Sequence, residues 1–85
     1  MIKVLGSSEF DTEVKDGVVI VDFYADWCGP CKMLAPVFQE LAKDMDGTAK
    51  FVKVDVDNTQ DIAARFQVSS IPTVAILKDG KEVDR

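Results

Sequence analysis

The 85-residue chain holds two cysteines, and both stand in "WCGPC", Trp27 to Cys31. Three uses of such a pair compete. The first is a structural staple, but closing a loop of about four residues is worth roughly 2 kcal/mol against about 3 for fifteen, so this spacing makes a weak crosslink. The second is half of a metal site. Structural zinc takes four Cys or His ligands, and the chain has no histidine and no third cysteine, so only a four-cysteine site shared between two chains would serve, and no metal is expected within one. The third, a dithiol-disulfide couple, employs every feature of the spacing. If Cys28 sits between a strand and a helix, its sulfur meets the unpaired N–H groups and the positive dipole end of that helix, which favour a thiolate nucleophile. Cys31 then lies one turn on along the same face, within disulfide reach and better shielded from solvent, able to attack a mixed disulfide formed at Cys28. Gly29 lets a docked substrate approach the backbone, and Pro30 suits the first helical position, where its missing N–H would be unpaired anyway.

Without histidine, a Cys-His pair is excluded, and proton handling falls to a carboxylate, a lysine or water. Asp22 is the carboxylate of interest. In the alternation Val18, Ile20, Asp22, Tyr24 it takes a position that should face the interior, where desolvation raises a carboxyl pKa. A buried acid beneath the cysteines could accept the proton of Cys31 as it attacks; alternatively, the strand ends early and Asp22 faces a water-filled gap. Lys53 interrupts the strand "FVKV" and is either the solvated face of an edge strand or a partner that tempers the charge of Asp22. Trp27, the single tryptophan, is either a core anchor or, as its place at a strand exit suggests, an amphipathic contact surface at the site.

Positioning these residues requires the elements around them. Ile2 to Val4 is a short strand candidate, and "SSEFDTEV" a short helix with Ser7 or Ser8 as its cap. Val18 to Ala25 reads as a central strand apolar on both faces. From Met33, the apolar positions Met33, Leu34, Val37, Phe38, Leu41, Ala42 and Met45 repeat as a helix does, and Pro36 predicts a kink one turn in. "KFVKVDV" is a strand with Val52, Val54 and Val56 on one face, and "NTQDIAARF" a helix capped at Asn58 or Thr59. "TVAILK" and the Asp79–Gly80 hairpin signal close the chain. Strands alternating with helices imply parallel pairs with right-handed crossovers, and the hairpin adds an antiparallel edge, giving a mixed α/β sheet in a single unit, residues 1–85.

Composition narrows the function classes. Ten Lys and Arg scattered among fifteen Asp and Glu, net charge -5, argue against nucleic acid, which needs clustered cations. No apolar run exceeds four residues, and "MIKVLGSSEF" lacks a signal-peptide core, so neither membrane insertion nor export is expected and the cytoplasm is the default location.

With "VDFYA" before "WCGPCK" and "SSIPTVAILKDG" after it, the chain resembles the thioredoxins, from "SSEF" to "DGKEV". The resemblance implies a thioredoxin-like mixed sheet with helices on both faces. It also implies a thiol-disulfide oxidoreductase that reduces disulfide-containing protein substrates and takes electrons from a thioredoxin reductase, with no cofactor beyond the Cys28–Cys31 pair. By resemblance Cys28 is the attacking and Cys31 the resolving cysteine, Asp22 the buried acid, and Lys53 its neighbouring lysine. The Ile71–Pro72 bond is then cis, although only about 5 to 6% of X-Pro bonds are, and Ile71 offers its backbone to a substrate strand beside the cysteines. The family continues past the hairpin with a fuller last strand, a glycine-containing loop near the site and a C-terminal helix. A truncated domain with an exposed sheet face is therefore expected here, at about 25 cal/mol per Å² left wet. The alternative to the reductase is accordingly a fragment of low activity, either loose or associating as a homodimer or domain swap through Thr73 to Lys78 and "KEVDR".

Overall fold

The computed structural model describes residues 2–85. The longest strand, β2 (Val18–Tyr24), runs through the middle of a five-stranded sheet. β3 (Lys50–Asp55) lies parallel to it on one side, and β1 (Lys3–Val4) lies parallel to β3 beyond. On the other side come β4 (Thr73–Lys78), antiparallel to β2, and β5 (Lys81–Asp84), antiparallel to β4, for the order β1-β3-β2-β4-β5. The helices are α1 (Ser7–Val14), α2 (Gly29–Asp44) and α3 (Gln60–Arg65).

The antiparallel β4 departs from the expected run of parallel crossovers, and helix length explains it. Returning along a six-residue strand means covering about 20 Å, some thirteen helical residues. Six-residue α3 climbs only about 9 Å, so the chain re-enters the sheet from the end at which β3 left it. β4 consequently sits inside the sheet with both edges paired, which removes the strand pairing expected through Thr73–Lys78; in that half, β5 holds the outer edge. At the hairpin, Asp79 (φ 50°) and Gly80 (φ 86°) both take the left-handed conformation of a type I′ turn. The turn is tied to the one before β2: the Asp79 N–H donates to the Gly17 carbonyl (2.9 Å), and the Gly17 N–H donates to Asp79 Oδ1 (2.8 Å).

Thr59 precedes α3 and Cys28 precedes α2, as expected, whereas the cap of α1 differs from the expectation. Gly6, not a serine, precedes α1, and Glu9 reaches back to accept its N–H at 2.9 Å. α2 begins four residues before its apolar stripe, because its first turn is built from Gly29, Pro30, Cys31 and Lys32, with Pro36 inside it. The stripe itself divides. Phe38 is buried, and Leu34, Ala42 and Met45 pack with it on Ile20 and Phe51, whereas Met33, Val37 and Leu41 are 78%, 61% and 44% exposed. Successive residues are about 100° apart around a helix, so with Phe38 facing the sheet, Val37 before it turns towards solvent.

Helices cover both faces, as expected. Phe10 and Val14 of α1 and Ile62 of α3 bury Val19, Val21, Phe23, Val52 and Val54 on one side; α2 covers Ile20 and Phe51 on the other, with the Phe38 and Phe51 rings 5.1 Å apart. The two-residue period of β2 thus divides its side chains between two cores, and Asp22 falls on the α2 side. Among the described residues no helix is long and apolar enough to cross a membrane.

Candidate active site

β2 and β3 are parallel, so both end at the same edge of the molecule, and α2 starts there. The chain leaves β2 at Tyr24 and passes Asp26 and Trp27, and Cys28 caps α2 with extended backbone (φ -84°, ψ 110°). Cys28 and Cys31 are joined as a disulfide with Cα atoms 5.2 Å apart. The Cys31 N–H donates to Cys28 Sγ at 3.2 Å, so one unpaired amide of the helix start points at this sulfur. Exposure does not separate the two cysteines as expected, since each is 4% exposed; the helix cap does, because Cys28 alone receives an N–H. Pro30 takes the second helical position rather than the first. A Cβ built on Gly29 meets nothing within 4 Å, so no contact inside the chain demands a glycine there, and the space opens to solvent.

β4 brings the fourth strand end to the same place. The Ile71–Pro72 bond preceding it is cis, and the Ile71 carbonyl oxygen lies 3.9 Å from Cys28 Sγ. Ile71, Tyr24 and Val56 pack around Ala25, Cys28 and Cys31.

Asp22 is fully buried, and neither carboxylate oxygen has a hydrogen-bond partner. β2 continues past it to Tyr24, which removes the reading in which the strand ends early. Burial pushes its carboxyl above the usual range, and the charge of Lys53 opposes this. Phe38 packs over Ile20, and Cys31 lies on the same helical face two turns, about 10 Å, nearer the start of α2. Asp22 lies about 7 Å beyond Ile20 along β2 in that same direction, so the buried acid sits under the first turns of α2. Lys53 is the cross-strand partner of Asp22. Its strand lies between β1 and β2, which removes the edge-strand reading, and its half-buried side chain carries the ammonium to 4.4 Å from the centroid of the Tyr24 ring.

Trp27 is 69% exposed, as a contact surface requires, and its indole N–H donates to Asp57 Oδ2 at 2.8 Å. It forms one wall of a shallow groove of about 180 Å³ completed by Val56, Val68, Ser69, Ser70 and Ile71. A larger cavity of about 730 Å³ lies between the second half of α2 and the start of β3, away from the cysteines. For Asp57, Tyr24 and the groove residues Val68 to Ser70, the sequence alone indicates no part in the site. The one signal for Asp57 was the parallel β2–β3 pair, which brings the acid-rich turn after β3 beside the turn after β2.

A thioredoxin family model matches residues 1–85. Thioredoxin of Staphylococcus epidermidis is 54% identical over 78 residues, covering 92% of this chain and 75% of that protein. Thioredoxin of Staphylococcus saprophyticus is 53% identical over all 85 residues, 81% of its length. A solved Plasmodium falciparum thioredoxin structure superposes with a TM-score of 0.93 at 39% identity, covering 98% of this chain and 82% of that one. Such a protein reduces disulfides in other proteins and is re-reduced by a reductase. With its fold, its helix-capping disulfide and its likeness over the whole length, the chain belongs to the thioredoxin family of thiol-disulfide oxidoreductases.

Proposed function

We propose that Cys28 is the attacking thiolate of this reductase, Cys31 the resolving thiol and Asp22 the acceptor of the Cys31 proton. The Cys28 thiolate attacks one sulfur of a substrate disulfide, a mixed disulfide forms, and the second substrate sulfur leaves as a thiolate. Cys31 gives its proton to the Asp22 carboxylate and attacks Cys28 Sγ. The Cys28–Cys31 bond forms, the mixed disulfide breaks, and the first substrate sulfur departs carrying the second electron of the pair. A reductase then restores the dithiol.

One observation carries this division of labour: Cys28 Sγ caps α2 and accepts the Cys31 N–H at 3.2 Å, so negative charge on that sulfur is stabilised. Trp27, Gly29, Pro30, Ile71 and Pro72 form the docking surface. The groove beside Trp27 takes an apolar substrate side chain, open Gly29 and exposed Pro30 admit the substrate backbone, and Ile71 presents its main chain to it. Lys53 tempers the charge on Asp22. The cytoplasm is the compartment this reading assigns, since a reductase needs a pool of reducing thiols.

The test is reduction of insulin's interchain disulfides with dithiothreitol as electron source. Turnover at least tenfold above dithiothreitol alone is expected; a rate equal to the background contradicts the proposal.

A further inference from the structure

The sheet face under α2 carries three cross-strand pairs in succession: Ile20 with Phe51, Asp22 with Lys53, and Tyr24 with Asp55. The first is apolar and seals the core; the second places a basic group directly opposite the buried acid. Yet Lys53 does not use its acid. Both Asp22 oxygens lack a partner, while the ammonium lies 4.4 Å from the Tyr24 ring centroid, one pair nearer the cysteines. A cation over the face of a neutral ring is attracted by the negative face of its quadrupole. The ammonium lies over the ring and makes no contact with the carboxyl, so the ring holds it in place of an ion pair.

We propose that Tyr24 is a positioning residue that parks the Lys53 ammonium on its ring, leaving Asp22 without an ion-pair partner and available to the Cys31 proton. The use made of Asp22 rests on the function proposed above; the parking itself does not. The groups that could compete are few. From β3 come Lys53 and Asp55, and from the turn after β2 comes Asp26. From β4, Asp22 meets Val74, which does not titrate. Of α2, Leu34, Phe38 and Ala42 cover this face, and Cys31 is the one titratable residue among its inward positions. Burial, then the charges of Asp55, Asp26 and Asp22, push the Tyr24 hydroxyl above its usual range, so the ring stays neutral under Lys53.

The test is a carbon-13 carboxyl NMR titration of Asp22 on the oxidised chain, in which no thiol titrates, with Asp22→Asn assigning the signal. In Tyr24→Leu the ring is gone, Lys53 turns to the carboxylate, and the Asp22 midpoint falls by about one pH unit, at the lower end of what a neighbouring cation produces. Tyr24→Phe keeps the ring and leaves the midpoint in place, and Lys53→Met abolishes the effect of Tyr24→Leu. An unmoved midpoint in Tyr24→Leu, an equal fall in Tyr24→Phe, or a fall that persists without Lys53 overturns the proposal. Should Tyr24→Leu fail to fold, the wild-type chain decides: ring-current upfield shifts of the Lys53 ε-protons support it, and shifts equal to those of exposed lysines overturn it. If Asp22→Asn leaves disulfide exchange unchanged while these titrations behave as stated, the catalytic reading of Asp22 fails and the parking stands.

Discussion

At the scale of residues, the site depends on an acid placed where a strand of this kind would ordinarily have an apolar side chain. Asp22 is fully buried without a hydrogen bond, a costly arrangement that a core does not need. Burial raises its proton affinity in the folded chain, so the folded state holds its proton at pH values where the unfolded state has released it. Stability therefore falls as pH rises from the unfolded value near 3.9 through the raised folded one, and the full cost is present above that. Asp22→Asn removes this slope: denaturant titrations should show its stability relative to wild type improving as pH rises above about 4 and levelling off once the folded carboxyl has ionised. The same substitution should slow insulin reduction about 100-fold at pH 7, at the low end of what positioned proton transfer contributes. The deficit should narrow as pH rises, because hydroxide from solvent can then take the thiol proton in place of the carboxylate. A constant deficit at all pH values would mean that Asp22 acts by shape and not by taking a proton.

At the scale of elements, α2 connects the chemistry to the core. Its inward row is anchored by Phe38, buried against Ile20 and Phe51, while Val37 beside it is exposed. Phe38→Ala should cost about 3 to 4 kcal/mol, a fall in Tm on the order of 15 °C, whereas Val37→Ala should stay within about 0.5 kcal/mol. Equal losses by calorimetry would mean that the two rows are not divided as described. The identity of α2 as a helix was legible in the sequence from its period, and its start to within one residue from Pro30, which stands at the second helical position rather than the first. The strands were legible for a similar reason: Val18 to Tyr24 and Lys50 to Asp55 are bounded by charged and turn residues. The direction of β4 was not, since it follows from how far α3 can carry the chain and not from any residue within β4. Cys28, Cys31 and Asp22 could be found from type and spacing. Asp57, Tyr24 and the Val68–Ser70 wall could not, because their parts arise from strands and turns brought together across the sheet.

At the scale of the whole molecule, the topology gathers the ends of β2 and β3, the start of α2 and the entry to β4 at one edge, and every residue assigned to exchange lies there or just beneath it. The opposite edge holds structural ties, such as Lys50 to Glu13 at 2.8 Å. One sulfur of the pair meets the substrate first, and the helix cap selects Cys28. The most direct measurement is mass spectrometry of the single-cysteine chains after reaction with a protein disulfide. Cys31→Ser should accumulate a mixed disulfide on Cys28, and Cys28→Ser should form little or none on Cys31. A stable adduct on Cys31 in Cys28→Ser, with none on Cys28 in Cys31→Ser, would contradict the assignment of attacker and resolver.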